Sequence, residues 1–142
     1  MSVRKQFATF WVDGLYFGVE VNQVQEVIRH QAMTRVPLAP PVVSGLINLR
    51  GHIVTALDLR KRLGLRERAQ GQLPTNVVIR TADEPVSVLV DEIGDVVEAE
   101  EGTFELPPDT LDNKAQGMIC GVHKLKDRLM HVLEAESVLR LG

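Results

Sequence analysis

The residues best placed to do chemistry in this chain are an arginine beside a glycine turn and a carboxylate upstream of it. Arg50 ends the run Gly45-Leu46-Ile47-Asn48-Leu49-Arg50, ahead of Gly51 and a second apolar run, Ile53 to Leu57. Period-two alternation predicts Ile47 and Leu49 on one face of a strand and Asn48 and Arg50 on the other, so a guanidinium is held at a fixed place beside a tight turn. That chemistry is recognition. Glu26, in Val24-Gln25-Glu26-Val27, could form a surface ion pair with Arg50, while Val24 and Val27 read on their own as core valines. Catalysis has little to stand on. His30, His52, His123 and His131 lack the spacing that would place two of them on one helical face around a metal, and no nucleophile stands in an acid–base pattern. Gly45 and Gly51 are not followed by the Lys-Ser/Thr of a phosphate-binding loop. The expectation is therefore a non-enzyme with no cofactor, no metal and no catalytic residue.

Composition sets the frame. With 142 residues, 44% hydrophobic and 25% charged, the chain can bury about two-thirds of its unfolded surface in one domain or two small lobes. No apolar run approaches the roughly 18 residues that span a bilayer, and Met1 to Gln6 lacks the apolar core of a secretion signal, so a cytoplasmic protein without direct membrane insertion is expected. Cys120 is the only cysteine, which excludes an internal disulfide; in its apolar run it reads as a small core hydrophobe. The net charge of −3 conceals an asymmetry: residues 1–68 hold ten Lys/Arg against five Asp/Glu, and residues 69–142 hold six against fourteen. Eleven acids and no Lys or Arg lie from Asp83 to Asp112. Either this is a solvated face, or the two ends of the molecule prefer partners of opposite sign.

The elements that position these groups are mostly short strands. Phe7 to Val12 and Leu15 to Val19 flank the hairpin signal Asp13-Gly14. Val21, Val24 and Ile28 are spaced as one face of a short helix over Val21–Ile28. Pro37, Pro40 and Pro41 interrupt; the Gly51 hairpin follows; Leu59 to Leu63 is a short helix stopped by Gly64. The second half repeats the plan. Val77–Thr81 and Val86–Val90 flank a turn, Pro107 and Pro108 interrupt, Gly117–Val122 pairs with Leu129–Leu133, and Glu136–Leu141 ends as a helix. Val19, Val21, Val24 and Val27 map onto Val88, Val90, Ile93 and Val96 at a constant offset of 69, which predicts two copies of one small β-lobe divided within the polar stretch Leu65 to Pro74. Each lobe should curl into a barrel and share a seam with the other.

Gly45-Leu46-Ile47-Asn48-Leu49-Arg50-Gly51-x-Ile53 followed by Asp58-Leu59-Arg60 resembles the signature of the CheW family of chemotaxis coupling proteins. Val19-x-Val21-x-x-Val24-Gln25-Glu26-Val27, the Val88–Val96 segment, and Gly117-Met118-Ile119 with Leu133-Glu134 stand in that family's order, so the resemblance covers Phe7 to Leu139. It implies a mainly β fold: two SH3-like five-stranded barrels packed around a shared hydrophobic seam, with short helices including one at the C-terminus. The chain 1–142 would be a single CheW-like domain, with lobe one about 1–70 and lobe two about 71–142, the first strand belonging in this family to the far lobe in some members. The implied function is a non-enzymatic adaptor that couples the cytoplasmic tip of methyl-accepting chemotaxis receptors to the regulatory domain of the histidine kinase CheA in signalling arrays. The family's receptor-contact face falls here on Val24, Glu26, Val27, Asn48 and Arg50, the valines lining a groove while the acid and the arginine pair. No motif marks the kinase contact; Glu92, Asp95 and Glu98 on the acidic half are the candidates. Two alternatives stay open: a CheW-like module that binds the kinase without coupling receptors, and a small β-barrel nucleic-acid binder using Arg60, Lys61, Arg62, Arg66 and Arg68. Aromatics are only 4% of the chain and none is interleaved with these basic residues, which argues against the second.

Overall fold

The computed structural model describes residues 4–106 and 117–140. Strands β1 (Arg4–Val12) and β2 (Leu15–Glu20) form the expected hairpin, its turn residues Asp13 and Gly14 both at positive φ, as a two-residue turn between twisted strands requires. A 3-10 turn over Val21–Gln23 leads into β3 (Val24–Ile28). The hairpin of β4 (Val43–Leu49) and β5 (His52–Asp58) runs directly into helix α1 (Leu59–Arg62), whose N-cap Asp58 accepts a hydrogen bond from the Arg60 amide, and Gly64 follows at φ +75°. Then come β6 (Thr75–Ile79), β7 (Val86–Val90), β8 (Glu92–Ile93), β9 (Val97–Glu100), β10 (Phe104–Glu105), β11 (Ile119–Lys124), β12 (Leu129–Leu133) and helix α2 (Ala135–Leu139). The C-terminal helix thus starts one residue before the expected Glu136; its expected end, Leu141, and the prolines 107 and 108 lie outside the described residues.

Two expectations need correction here. The helix over Val21–Ile28 is a 3-10 turn followed by a strand. The physical reason is a β-bulge between Val24 and Glu26: Val24 stands opposite Ile79, and after the inserted residue Glu26 stands opposite Val78 and Val27 opposite Val77. Val21 thus lies in the 3-10 turn, and the bulge sends Val24 to the seam side and Ile28 to the barrel side, so the spacing that suggested one helical face marks none. The cut at residue 70 also fails to divide the sheets. A seven-stranded sheet runs β10-β11-β12-β2-β1-β8, with β9 also on β1; a five-stranded sheet runs β3-β6-β7-β5-β4. The offset of 69 does superpose like on like. Both β2 and β7 close a hairpin and pair in parallel, with β12 and β5 respectively; β3 pairs with β6 as β8 and β9 pair with β1. Each sheet, however, takes its leading hairpin from the other repeat, so not the first strand alone but the whole β1–β2 hairpin sits with the late strands.

Three cores follow from the alternation. Ile47, Leu49, Val54, Ala56, Val78 and Leu89 fill the five-stranded barrel; Phe7, Tyr16, Ala99, Met130 and Val132 fill the seven-stranded one. The opposite faces of the same strands, Phe10, Val12, Phe17 and Val19 from one sheet and Val77, Ile79, Val88 and Val90 from the other, meet with Leu59, Leu63 and Val138 in a shared apolar seam. The two-barrel architecture with its seam is thus present. Cys120, expected in the core, is instead exposed on β11, its thiol directed at the Val132 carbonyl and its pKa raised chiefly by partial burial. His123 is buried on the same strand.

Candidate interaction site

Arg50 does not continue β4. It is the first of two residues in the β4–β5 turn, at φ +52° with Gly51 at +88°, and this corrects the expectation of a regular strand position. A side chain in the left-handed region is strained, so the turn holds the guanidinium in a conformation that glycine or asparagine would adopt more easily. Asn48 supports it: its Oδ1 accepts the Gly51 amide at 2.9 Å. From there Arg50 forks onto Glu26, Nη1 donating to Oε1 at 3.0 Å and Nη2 to Oε2. β3 and β4 are the two terminal strands of their sheet, four strand spacings or about 19 Å apart were the sheet flat. The contact exists because the sheet curls, and the bidentate pair bridges its two terminal strands. Glu26 is mostly covered while Arg50 is exposed. The guanidinium beside it holds the Glu26 carboxyl below the usual carboxylate range, and Arg50 is raised in return.

The other expected contact residues separate into two groups. Because of the bulge, Val24 and Val27 point to the seam side of β3, whereas Glu26 points to the barrel side with Val78. Val24 is half-buried against the seam core and Val27 is 44% exposed. The structure thus brings Asn48, Arg50 and Glu26 together and sets the two valines around the edge of the same strand. One residue was missed. Ile53, 58% exposed, follows the turn on β5 and lines a cleft of about 530 Å³ with Gln25, Leu49, Arg50, Glu84 and Pro85. Its signal in the sequence is an isoleucine beside a turn, on a strand whose inward positions are already filled by Val54 and Ala56.

Glu92, Asp95 and Glu98 are all exposed along the β1 edge of the seven-stranded sheet, where β8 and β9 pair. Glu98 lies 3.7 Å from Arg4, which also pairs with Glu100. Four of the five basic residues are engaged within the molecule, which tells against nucleic acid, while Lys61 is exposed. Arg60 donates to both Asp91 oxygens and to the Arg66 and Glu67 carbonyls; Arg62 donates to the carbonyls of Ser137, Val138 and Arg140; Arg66 pairs with Asp13, and Arg68 with Asp91 and Asp58. Burial alone would raise the Asp91 carboxyl, but these guanidinium bonds and the Asp13 amide hold it below its ordinary value. Among the described residues no three His, Cys, Asp or Glu side chains cluster as metal ligands, and no helix is long and apolar enough to cross a membrane.

Residues 6–141 match the model of the CheW-like domain family. The chain is 33% identical over 139 residues to the Chemotaxis protein CheW of Bacillus subtilis (strain 168), covering 98% of this chain and 89% of that protein. It is 26% identical over 135 residues to the Chemotaxis protein CheW of Helicobacter pylori, covering 95% and 81%. In three dimensions it is similar to the scaffolding protein TtCheW from Thermoanaerobacter tengcongensis, with a TM-score of 0.87, 24% identity, and 99% and 95% of the two chains covered. That last likeness carries the fold: two sheets with a common seam.

Proposed function

Since this chain belongs to the CheW family, we propose that it is a non-enzymatic chemotaxis adaptor that couples the cytoplasmic tips of chemoreceptors to the regulatory domain of the histidine kinase CheA. The observation that carries this reading is the Glu26–Arg50 fork, which joins the two edges of the five-stranded sheet and holds a charged, geometrically fixed patch beside exposed apolar side chains. A helical receptor tip would find apolar anchorage on Val24, Val27 and Ile53 and orientation from Arg50, Glu26 and Asn48, with affinity from the first set and specificity from the second. Exposed Glu92, Asp95 and Glu98, on the other sheet, are the proposed kinase contact. Such a protein works in the cytoplasm at membrane receptor arrays and passes signal as a coupling free energy between two partners, with no chemistry of its own.

Reconstituted receptor, kinase and adaptor test the assignment. Glu26→Ala and Arg50→Ala should weaken receptor-dependent kinase activation while moving the melting temperature by only a few degrees, because an ion pair whose arginine is open to solvent adds little to stability. Arg50→Gly sharpens the result: it removes the guanidinium and relieves the left-handed backbone, so activation should fall in a protein at least as stable as the parent. Full activation by folded Arg50→Gly protein overturns the assignment of this site.

A further inference from the structure

Asp91 is the single residue between β7, the last strand of the five-stranded sheet in chain order, and β8, which belongs to the seven-stranded sheet. The strands change sheet at only one other place among the described residues, the 3-10 turn between β2 and β3. Four donors converge on this carboxylate. Oδ1 accepts from Arg60 Nε at 3.0 Å and Arg68 Nε at 3.2 Å; Oδ2 accepts from Arg60 Nη2 at 2.6 Å and from the Asp13 amide at 2.7 Å. A carboxylate has about four acceptor sites, and all are taken. Arg68 Nη2 lies 3.2 Å from Oδ1 yet makes no hydrogen bond, the one buried side-chain polar atom of the described residues in that state. The side chains of Asp91, Arg60 and Arg68 are each at least nine-tenths buried. Around one point, then, are fastened the sheet crossover, helix α1, the 66–68 loop and the β1–β2 turn.

The geometry points to Asp91, with Arg60 and Arg68, as the joint that fixes the angle between the sheet bearing Glu26 and Arg50 and the sheet bearing Glu92, Asp95 and Glu98, so that occupancy of one face is felt at the other. The apolar seam holds the sheets together without direction, because hydrophobic burial is indifferent to small sliding. Charge-assisted hydrogen bonds have direction, and here they reach Asp91 from three other segments of chain, two of them through guanidinium groups. Asp91 is on this account a positioning residue that touches neither partner. The inference of coupling rests on the adaptor reading above; the inference of a joint does not.

Spin labels on Cys120 of β11 and at His52→Cys on β5 report the distance between the two sheets. The parent protein should give one narrow distribution; Asp91→Asn and Arg68→Met, each still folded, should broaden or shift it. Receptor-tip fragment and kinase regulatory domain should each bind these variants alone nearly as they bind the parent, while a mutual enhancement of roughly fivefold or more falls to none. If Asp91→Asn does not fold, Arg68→Met, which leaves the Arg60 fork on Asp91, decides by the same readings. An unchanged distance distribution in folded variants overturns the joint, and so does a parallel loss of both single affinities, which a merely destabilised protein would give. A parent protein that binds neither partner defeats the adaptor reading, and the distance distribution then still decides whether the joint exists.

Discussion

His123 illustrates how a single side chain's surroundings set its charge. Its ring lies between Phe7 and Phe104, with centroids 5.4 and 5.1 Å away, and Nδ1 is 2.8 Å from Thr103 Oγ1. Burial first, and then the positive Lys5, pull its pKa below the ordinary histidine value. The unfolded chain therefore binds a proton that the folded chain refuses. Its contribution to stability is fully present above about pH 6.5 and is lost as pH falls through the lowered folded value. Urea unfolding followed from pH 7 to 5, above the range where carboxylates titrate, should show stability falling toward the acid end. His123→Leu, which keeps an apolar group between the rings, should flatten that limb; an unaltered slope in this variant would assign the proton uptake elsewhere. The same logic in reverse keeps Asp91 ionised, because its guanidinium partners outweigh the cost of burying it.

At the scale of elements, a turn offers the clearest test. Ala39 donates to the Val36 carbonyl at 3.4 Å, closing a turn with Pro37 at its second position and Leu38 at its third, where φ is +66°. That position asks for glycine or asparagine, and Leu38 is fully exposed, so nothing in the fold repays it. Leu38→Gly should raise stability by up to about 1 kcal/mol, the relief of a left-handed side chain offset in part by the added freedom of glycine in the unfolded chain. Leu38→Ala keeps the strain and should leave stability unchanged; equal unfolding midpoints for the two variants would refute the account. Turns of this kind also explain what was legible in the sequence. Asp13-Gly14 and Arg50-Gly51 announced their hairpins because a two-residue turn needs positive φ, and glycine marks it. β3 was misread because Val21 belongs to the 3-10 turn before it and a bulge turns Val24 and Ile28 to opposite faces, and no local pattern announces a bulge. Arg50 and Glu26 could be nominated from residue type, but their contact is made by sheet curl. Ile53 and the Asp91 network depend on side chains brought together from distant parts of the chain, which periodicity does not encode.

At the scale of the whole molecule, the exchange of hairpins between repeats could have erased the charge asymmetry between the two halves. It does not. Residues 21–90, which supply the five-stranded sheet, hold nine Lys/Arg against five Asp/Glu, and the remainder of the chain holds seven against fourteen. Moreover, four of the basic residues on the first side are spent on internal bonds to Asp91, Asp58, Asp13 and the α2 carbonyls, while Glu92 and Asp95 face solvent without a described ion pair. The excess negative charge is therefore the part of the asymmetry available to a partner. Long-range attraction acts mainly on the encounter rate, and it decays over a Debye length of about 8 Å at physiological salt. Replacing Glu92, Asp95 and Glu98 together by lysine should lower the association rate with the kinase regulatory domain about tenfold at low salt. The dissociation rate should change less, and the parent and variant association rates should converge as salt is added. Stability should shift little, since among the described residues the only ion pair lost is the long, exposed one from Glu98 to Arg4. An association rate unchanged at low salt, in a variant shown to be folded, would reduce the acidic edge to a solvated surface and move the kinase contact elsewhere on the molecule.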